Sequence, residues 1–310
     1  MLLKDYCKLS NDELEDIIAI EKKAHDTVIL AHNYVRDEVQ RVADFLGDSL
    51  ELSRRAARVS EKTIVFCGVY FMAETAKILS PEKRVLIPDA TAGCPLAASA
   101  TMGDVLKLRE QYPKHAFVAY VNTSAEVKAA VDLCCTSANA LDIVKSLGDR
   151  PVVFLPDMNL GAYIKRQLAK ENMVLWSGGC YVHQFITLED MIRARKDYPR
   201  WTIIVHPECT PAVTETADVV ASTGGMLHWV ADHDNPVLLG TEIGMVERIK
   251  REMPEKKVEP LKNSAVCYNM KQLSLPKLAR SVKEGIYEVT IESEILHSAF
   301  DSISKMISIG

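Results

Sequence analysis

Three of the eight cysteines in this 310-residue chain recur at nearly equal intervals. Cys94, Cys180 and Cys267 are 86 and 87 residues apart, and the other cysteines follow no such period. Three thiolates are one short of the four protein ligands of a closed zinc or iron–sulfur site. A metal with an open position can act as a Lewis acid on a substrate oxygen. The alternative is three buried core cysteines, but the shared period favours a metal site.

Two further sets of polar residues recur in the same frame, at intervals of 86 to 88 residues. They are His32, Tyr120 and His206, followed two positions later by Tyr34, Asn122 and Glu208. Together with His183, they include the titratable groups that general acid–base catalysis needs. His206 and Glu208 are expected to point to the same side of an extended segment and to form an acid–base pair. A lone histidine at a strand end is more often structural, so this interpretation depends on the repeat.

Hydroxyl residues form a third repeated set, consisting of Ser49, Ser137 and Thr223. Each lies beside glycine or other small residues and near the expected start of a helix. Hydroxyl groups and the free N–H groups of a helix start favour carboxylate or phosphate groups. The alternative is simple N-capping, and the recurrence near a metal site favours anion binding.

The elements that must position these residues form three repeats. Short apolar runs such as residues 27–31 and 85–87 alternate with helical patterns such as residues 38–58. This order predicts an α/β fold of three homologous three-layer domains with short parallel sheets, related by a pseudo-threefold axis. The expected domains are residues 1–112, 113–199 and 200–310, the last with a C-terminal helical tail. Ligands bind beyond the carboxyl ends of such strands, so the three sets are expected to face one centre.

The composition excludes several classes of protein. Hydrophobic residues make up 48% and charged residues 25%, which is typical of a soluble globular protein and not of a disordered or fibrous chain. A net charge of −5 argues against nucleic acid as a partner. The longest apolar runs are about ten residues, well below the roughly 18 to 20 that span a membrane. No export signal is recognisable at the first residues, so a cytoplasmic location is expected.

The motifs as a whole resemble those of the quinolinate synthase family. The match runs collinearly over roughly residues 28–275. It includes A-H-N-Y at 31–34, A-D-F-L-G-D-S-L at 43–50, A-G-C-P-L-A at 92–97, Y-V-N at 120–122, C-T-S-A-N-A at 135–140, P-D-M-N-L-G at 156–161, C-Y-V-H-Q-F at 180–185, H-P-E-C at 206–209, S-T-G-G-M at 222–226, G-T-E-I-G-M at 240–245 and A-V-C-Y-N-M-K at 265–271. No single block is specific, whereas the ordered set is.

This resemblance implies a transferase of pyridine nucleotide biosynthesis. The family condenses iminoaspartate with dihydroxyacetone phosphate to quinolinate, phosphate and water in de novo NAD synthesis. It uses a [4Fe–4S] cluster, whose three cysteine ligands correspond to Cys94, Cys180 and Cys267, with one iron left open. The resemblance also implies a transient contact with the enzyme that supplies iminoaspartate.

The resemblance further assigns the site residues. Proton transfer is expected of Tyr34, Tyr120, His206 and Glu208. The substrate-binding positions are His32, Tyr34, Ser49, Tyr120, Asn122, Ser137, His183, His206, Glu208, Ser222 and Thr223.

Two other classes stay open at this point. One is a zinc hydrolase or lyase that uses the same three cysteines, with His183 as a fourth ligand. The other is a non-enzymatic module that binds a small molecule or senses iron. A sensor needs an output surface, and neither a basic helix-turn-helix nor an appended domain is recognisable in the sequence.

Overall fold

The computed structural model describes residues 2–309, in which twelve strands form three separate parallel sheets of four strands each. The first sheet contains β1 (Thr27–His32), β2 (Phe45–Gly47), β3 (Thr63–Cys67) and β4 (Arg84–Leu86). The second contains β5 (Ala116–Tyr120), β6 (Leu133–Cys135), β7 (Val152–Leu155) and β8 (Met173–Leu175). The third contains β9 (Thr202–Val205), β10 (Val219–Val220), β11 (Val237–Gly240) and β12 (Val258–Pro260). We call these sheets, with their connecting helices, the first, second and third units.

All three units have the same strand order. The orders are β2-β1-β3-β4, β6-β5-β7-β8 and β10-β9-β11-β12. In each unit the first strand therefore pairs with the second and the third, and the fourth lies at the far edge. The predicted α/β fold with three equivalent parallel sheets is confirmed.

Helices connect and cover these strands. In chain order they are α1 (Leu3–Tyr6), α2 (Asn11–Ala24), α3 (Asp37–Arg41), α4 (Ser49–Ala56), α5 (Tyr70–Leu79), α6 (Met102–Gln111), α7 (Ala125–Ala129), α8 (Ala140–Ser146), α9 (Met158–Gln167), α10 (Tyr181–Gln184), α11 (Leu188–Asp197), α12 (Pro211–Thr214), α13 (Thr223–Asp232), α14 (Ile243–Glu252), α15 (Leu275–Glu284) and α16 (Ser293–Ser308). Every residue of β1, β3, β5, β7 and β11 is buried, as expected for strands that are covered on both faces. None of the helices within residues 2–309 is long and apolar enough to cross a membrane.

The helix predicted over residues 38–58 is wrong. The segment forms α3, the short strand β2 and then α4. The first helical part ends at Arg41, and Asp44 then ties the chain to β1, because its carboxylate accepts a hydrogen bond of 2.8 Å from the backbone N–H of Ile29. Asp48 starts the second, since its carboxylate accepts from the N–H groups of Leu50 and Glu51. Tertiary pairing therefore overrides the helical pattern.

The aspartate that anchors β2 has an equivalent in each unit. Asp132 accepts a hydrogen bond of 2.8 Å from the N–H of Phe117, and Asp218 accepts one of 2.7 Å from the N–H of Ile203. Burial raises the pKa of the Asp132 carboxyl group, but the Phe117 N–H and Arg109 outweigh it and lower the pKa below its ordinary value. The three aspartates are thus a structural part of the repeat.

The C-terminal helices pack away from the third unit. Helix α15 lies beside α2 of the first unit, where Lys283 forms an ion pair of 2.9 Å with Glu21. Helix α16 packs on α7, β6 and α5, and its Ser302 donates a hydrogen bond of 2.8 Å to the carbonyl of Lys128. The C-terminal helices therefore pack on both the first and the second unit. The domain boundaries at residues 112 and 199 stay a prediction.

Candidate active site

One cavity lies where the carboxyl ends of the strands of all three units meet, which is where parallel α/β sheets bind their ligands. The predicted site residues that line it are His32, Tyr34, Ser49, Cys94, Tyr120, Asn122, Ser137, Cys180, His183, His206, Glu208, Thr223 and Cys267. Ser222 is the exception. Within residues 2–309, no lysine or arginine lines the cavity.

The strand ends carry the first set of polar residues, as the repeat predicts. His32 and Tyr120 are the last residues of β1 and β5, and His206 follows the last residue of β9. His206 and Glu208 do lie together, but they are in a tight turn and not in an extended segment. The N–H of Cys209 closes this turn with a hydrogen bond of 3.0 Å to the carbonyl of His206.

Each of the three cysteines precedes a short helical turn at the cavity. Cys94 precedes the 3-10 turn Ala97–Ser99, Cys267 precedes Met270–Gln272, and Cys180 is the N-cap residue of α10. Backbone N–H groups two or three residues further on donate hydrogen bonds to the sulfur atoms, and these lower the thiol pKa in every case. Such N–H groups stabilise thiolates that bind a metal or a cluster.

The surroundings of the cysteines otherwise oppose ionisation. Burial raises the pKa of the Cys94 thiol to about 12, and burial raises the pKa values of Cys180 and Cys267 as well. The charge of Glu208, and after it those of Cys94 and Cys267, would also repel a thiolate at Cys180 and raise its pKa further. A bound cation removes both penalties, because a coordinating thiol is deprotonated outright. The donor set thus fits a metal cluster.

His183, Glu208 and His206 form a compact buried group beside Cys180. Oε2 of Glu208 lies 2.8 Å from Nδ1 of His183 and 3.2 Å from Nδ1 of His206, and the two imidazole rings are stacked with centroids 4.4 Å apart. Burial raises the pKa of the Glu208 carboxyl group, but His183 and His206 outweigh it and lower the pKa below its usual value. Glu208 is therefore an ionised, acceptor-only carboxylate.

Several buried polar atoms in and beside this group have no hydrogen-bond partner among residues 2–309. They are Oε1 of Glu208, Oδ1 of Asn122 and Nδ1 of His183, the last because its close contact with Glu208 lacks hydrogen-bond alignment. Three possible metal-ligating atoms lie within 4.8 Å of one another: Sγ of Cys180, a ring nitrogen of His183 and a carboxylate oxygen of Glu208. A buried polar atom without a hydrogen-bond partner lowers the stability of the folded chain. These atoms therefore indicate that a ligand or a metal binds at this side of the cavity.

Three further titratable groups of the cavity, His32, Tyr34 and Tyr120, are neutral. Burial, assisted by the charge of His206, lowers the pKa of His32 to about 3. Nδ1 of His32 accepts a hydrogen bond of 3.2 Å from the N–H of Tyr34, so the ring proton is on Nε2. Burial raises the pKa values of Tyr34 and Tyr120 well above the ordinary value, and both phenols keep their protons.

The hydroxyl set divides into lining residues and caps. Asp48 caps α4 and Ser222 caps α13, so Ser49 and Thr223 occupy the first helical positions and line the cavity without serving as caps. The Ser222 hydroxyl accepts a hydrogen bond of 3.2 Å from the N–H of Gly225 and does not line the cavity, and its role in substrate binding stays a prediction. Ser137 is in the turn before α8 and lies 3.2 Å from Nε2 of His206.

Sequence reasoning missed three buried residues that support this site. Thr241 and Glu242 follow β11, and Asp157 occupies the position in the second unit that corresponds to Glu242. Asp157 accepts a hydrogen bond of 3.1 Å from the N–H of Cys180, and Glu242 accepts one of 3.1 Å from the N–H of Cys267. A recurrent acidic residue after the third strand was the available signal. Thr241 had no such signal, since the equivalent residues are Gly68 and Pro156.

Comparisons with known proteins agree with the geometry. The profile of the family described as Quinolinate synthetase A protein (NadA) matches residues 15–308. A protein named Quinolinate synthase from Thermodesulfovibrio yellowstonii is 44% identical over 300 residues, which cover 96% of this chain and 99% of that protein. Proteins of the same name from Dehalococcoides mccartyi (strain ATCC BAA-2266 / KCTC 15142 / 195) and Thermococcus onnurineus are 46% and 45% identical over 94% and 96% of this chain, and over 97% and 99% of their own lengths.

Proposed function

The chain belongs to the quinolinate synthetase A family, and we propose that it condenses iminoaspartate with dihydroxyacetone phosphate to quinolinate, phosphate and water in the de novo synthesis of NAD. The observation that carries this proposal is the meeting of one cysteine from each unit in the cavity that also contains Tyr34, His206 and Glu208. The family resemblance predicted from the sequence is thereby confirmed.

Cys94, Cys180 and Cys267 would hold a [4Fe–4S] cluster. Burial raises the pKa of all three thiols, so they stay protonated at neutral pH unless a cation is bound. Backbone N–H groups that donate to the sulfur atoms would stabilise the thiolates. Such a cluster supplies a Lewis-acidic iron that takes up negative charge on a substrate oxygen. The number of irons and the identity of the ligands are part of the proposal.

The anionic substrates would be held by neutral donors. Ser49 and Thr223 lie at the first positions of α4 and α13, where helix N–H groups and the helix dipole favour a carboxylate. His32 adds an Nε2–H donor. Because no cationic side chain within residues 2–309 lines the cavity, binding relies on directed hydrogen bonds and not on a lysine or arginine clamp.

Two tyrosines would act as proton donors in this reaction, and one glutamate would act as the base. Tyr34 and Tyr120 are protonated phenols, suited to donate to a developing oxyanion or a leaving hydroxyl group. Glu208 is the ionised acceptor, and its Oε1 has no partner among the described residues. Nδ1 of His206 accepts a hydrogen bond of 3.3 Å from the backbone N–H of Glu208, so its ring proton is on Nε2, which lies 3.2 Å from the Ser137 hydroxyl group.

The test is an anaerobic assay of the purified protein with iminoaspartate generated in place and dihydroxyacetone phosphate. Quinolinate is scored by mass, and Cys94→Ser is the matched negative control. Absence of quinolinate from an iron-replete protein would reject the proposal.

The zinc hydrolase or lyase alternative retains one supporting observation, the grouping of Cys180, His183 and Glu208. Metal analysis separates the two, because an iron–sulfur protein is brown and contains sulfide, whereas a zinc protein is colourless. A cytoplasmic location and a transient contact with the enzyme that supplies iminoaspartate stay predictions from the sequence.

A further inference from the structure

Asn33 connects a buried arginine to a hydroxyl group of the cavity. It follows β1 in the first unit, and its side chain is fully buried. Its Oδ1 accepts a hydrogen bond from Nη1 of Arg248, a buried residue on α14 in the third unit. Its Nδ2 donates a hydrogen bond of 3.1 Å to Oγ1 of Thr223, the first residue of α13. Of these three residues, only Thr223 lines the cavity.

The guanidinium group sets the direction of both hydrogen bonds. It has five N–H donors and no acceptor, so the atom of Asn33 that faces Arg248 has to be the carbonyl oxygen. The amide NH₂ group then faces Thr223, and the threonine hydroxyl has to accept. The hydroxyl proton of Thr223 finds no acceptor among residues 2–309, so it is available to a group in the cavity.

The repeat shows that this amide is specific to the first unit. The residues at the equivalent positions of the second and third units are Val121 and Pro207, and neither has a polar side chain. A turn that only ended its strand would therefore not require asparagine. Arg248 does not need Asn33 to balance its charge either, because its Nε forms an ion pair of 3.0 Å with Glu252 on the same helix.

Ser137, the equivalent of Thr223 in the second unit, has the same hydrogen-bond polarity. Its hydroxyl lies 3.2 Å from Nε2 of His206, and Nε2 carries the ring proton because Nδ1 accepts from the N–H of Glu208. Both cavity hydroxyls therefore accept a hydrogen bond from the turn that follows the first strand of another unit. Each keeps its own proton for the cavity.

We propose that Asn33 and Arg248 are positioning residues that hold the Thr223 hydroxyl as a one-way donor to a substrate carboxylate. The arginine stays outside the cavity and acts through the fixed direction of the two hydrogen bonds. An ionised carboxylate only accepts, so this arrangement favours it over a group that presents a donor at the same position. That the carboxylate belongs to the substrate of the condensation rests on the proposed function. The polarity of the hydrogen bonds does not.

Asn33→Asp tests the polarity because it retains the contact with Arg248. The new carboxylate still accepts from the guanidinium group, but it cannot donate, so the Thr223 proton turns towards it and away from the cavity. We expect the dissociation constants of quinolinate and succinate, measured by calorimetry on the anaerobically purified chain, to rise about 10- to 100-fold, the scale of one hydrogen bond to a charged group. Asn172→Asp is the matched control, because Asn172 is exposed and donates to the carbonyl of Asp149.

A double-mutant cycle with Thr223→Val separates the polarity from the added charge. In the Thr223→Val background the hydroxyl is absent, so Asn33→Asp should weaken binding by no more than about twofold. An equal loss in both backgrounds would assign the effect to charge or to the fold and overturn the proposal. Unchanged binding in a folded Asn33→Asp protein would overturn it as well. A loss confined to inorganic phosphate, with both dicarboxylates unaffected, would refute the assignment to a carboxylate.

Two variants of Arg248 keep the proposal testable without Asn33→Asp. Arg248→Met removes the donor that orients the amide and should weaken dicarboxylate binding, whereas Arg248→Lys supplies a donor-only group and should restore most of it. Equal weakening by both would contradict the proposal. Succinate binding that depends on Asn33 as expected, in a chain that makes no quinolinate, would reject the proposed function and support this inference. Quinolinate formation without that dependence would do the reverse.

Discussion

Replacement of Glu208 by glutamine tests the base of the proposed reaction. The side chain is 3% exposed, and its Oε2 lies within 3.2 Å of ring nitrogens from both His183 and His206. Glutamine has the same shape but cannot accept a proton at neutral pH. We therefore expect Glu208→Gln to keep the cluster and the binding of a dicarboxylate while losing turnover.

The magnitude follows from the role of the carboxylate. A positioned acid or base contributes about 10² to 10⁴ in rate, and each factor of ten corresponds to about 1.36 kcal/mol of activation free energy. The expected loss is therefore roughly 2.7 to 5.4 kcal/mol. The free energy of unfolding should change by less, about 2 kcal/mol or below, because the lost attraction between the carboxylate and the two imidazole rings is offset by the easier burial of a neutral amide.

The assay compares wild type, Glu208→Gln and the surface control Glu259→Gln by kcat, iron content and thermal unfolding. Glu259 pairs with Lys250 in a half-exposed ion pair, which contributes about 0 to 1 kcal/mol, so its variant should behave as wild type. Wild-type turnover in an iron-replete Glu208→Gln protein would remove Glu208 from the chemistry. Loss of iron in that variant would show that the carboxylate supports the cluster instead.

The remaining predictions concern the metal, pH and helix capping. Cys94→Ser, purified anaerobically, should fail to hold a four-iron cluster, whereas Cys134→Ser should keep it; full iron content in Cys94→Ser, measured by chemical analysis, contradicts the ligand assignment. Asp132 has a pKa held below its ordinary value in the folded chain, so its contribution to stability is present above its unfolded pKa of about 4 and is lost as the pH falls through the folded pKa. Denaturant melts should therefore show Asp132→Asn to be about 1 kcal/mol less stable than wild type at neutral pH, with the difference vanishing in acid; a constant difference would refute this. Ser222→Ala should lower the free energy of unfolding by about 1 kcal/mol through the lost cap, and Ser222→Gly by less; equal stability of Ser222→Ala and wild type would show that the cap contributes nothing.

Much of the architecture could be predicted from local patterns. Apolar runs marked the long central strands, and the recurrence of Cys94, Cys180 and Cys267 predicted three cysteines that line one cavity. The apolar runs and the recurrent cysteines are visible in the sequence because every unit buries the same strand faces and ends its strands at the same edge of its sheet. The short strand β2 was missed, because three residues give no clear period and the Asp44 anchor pairs across the sheet.

The sequence by itself determined the fold class, the three-unit organisation and most of the polar and cysteine residues that line the cavity. Only the tertiary structure decided that α16 spans the first two units, that Asp48 and Ser222 are caps, and that Thr241 links Tyr34 to His183. The physical reason is that a sequence repeat shows only those residues that all three units have in common. Contacts between units depend on how the three sheets are packed together, and a hydroxyl that occurs in one unit alone has no pattern to reveal it.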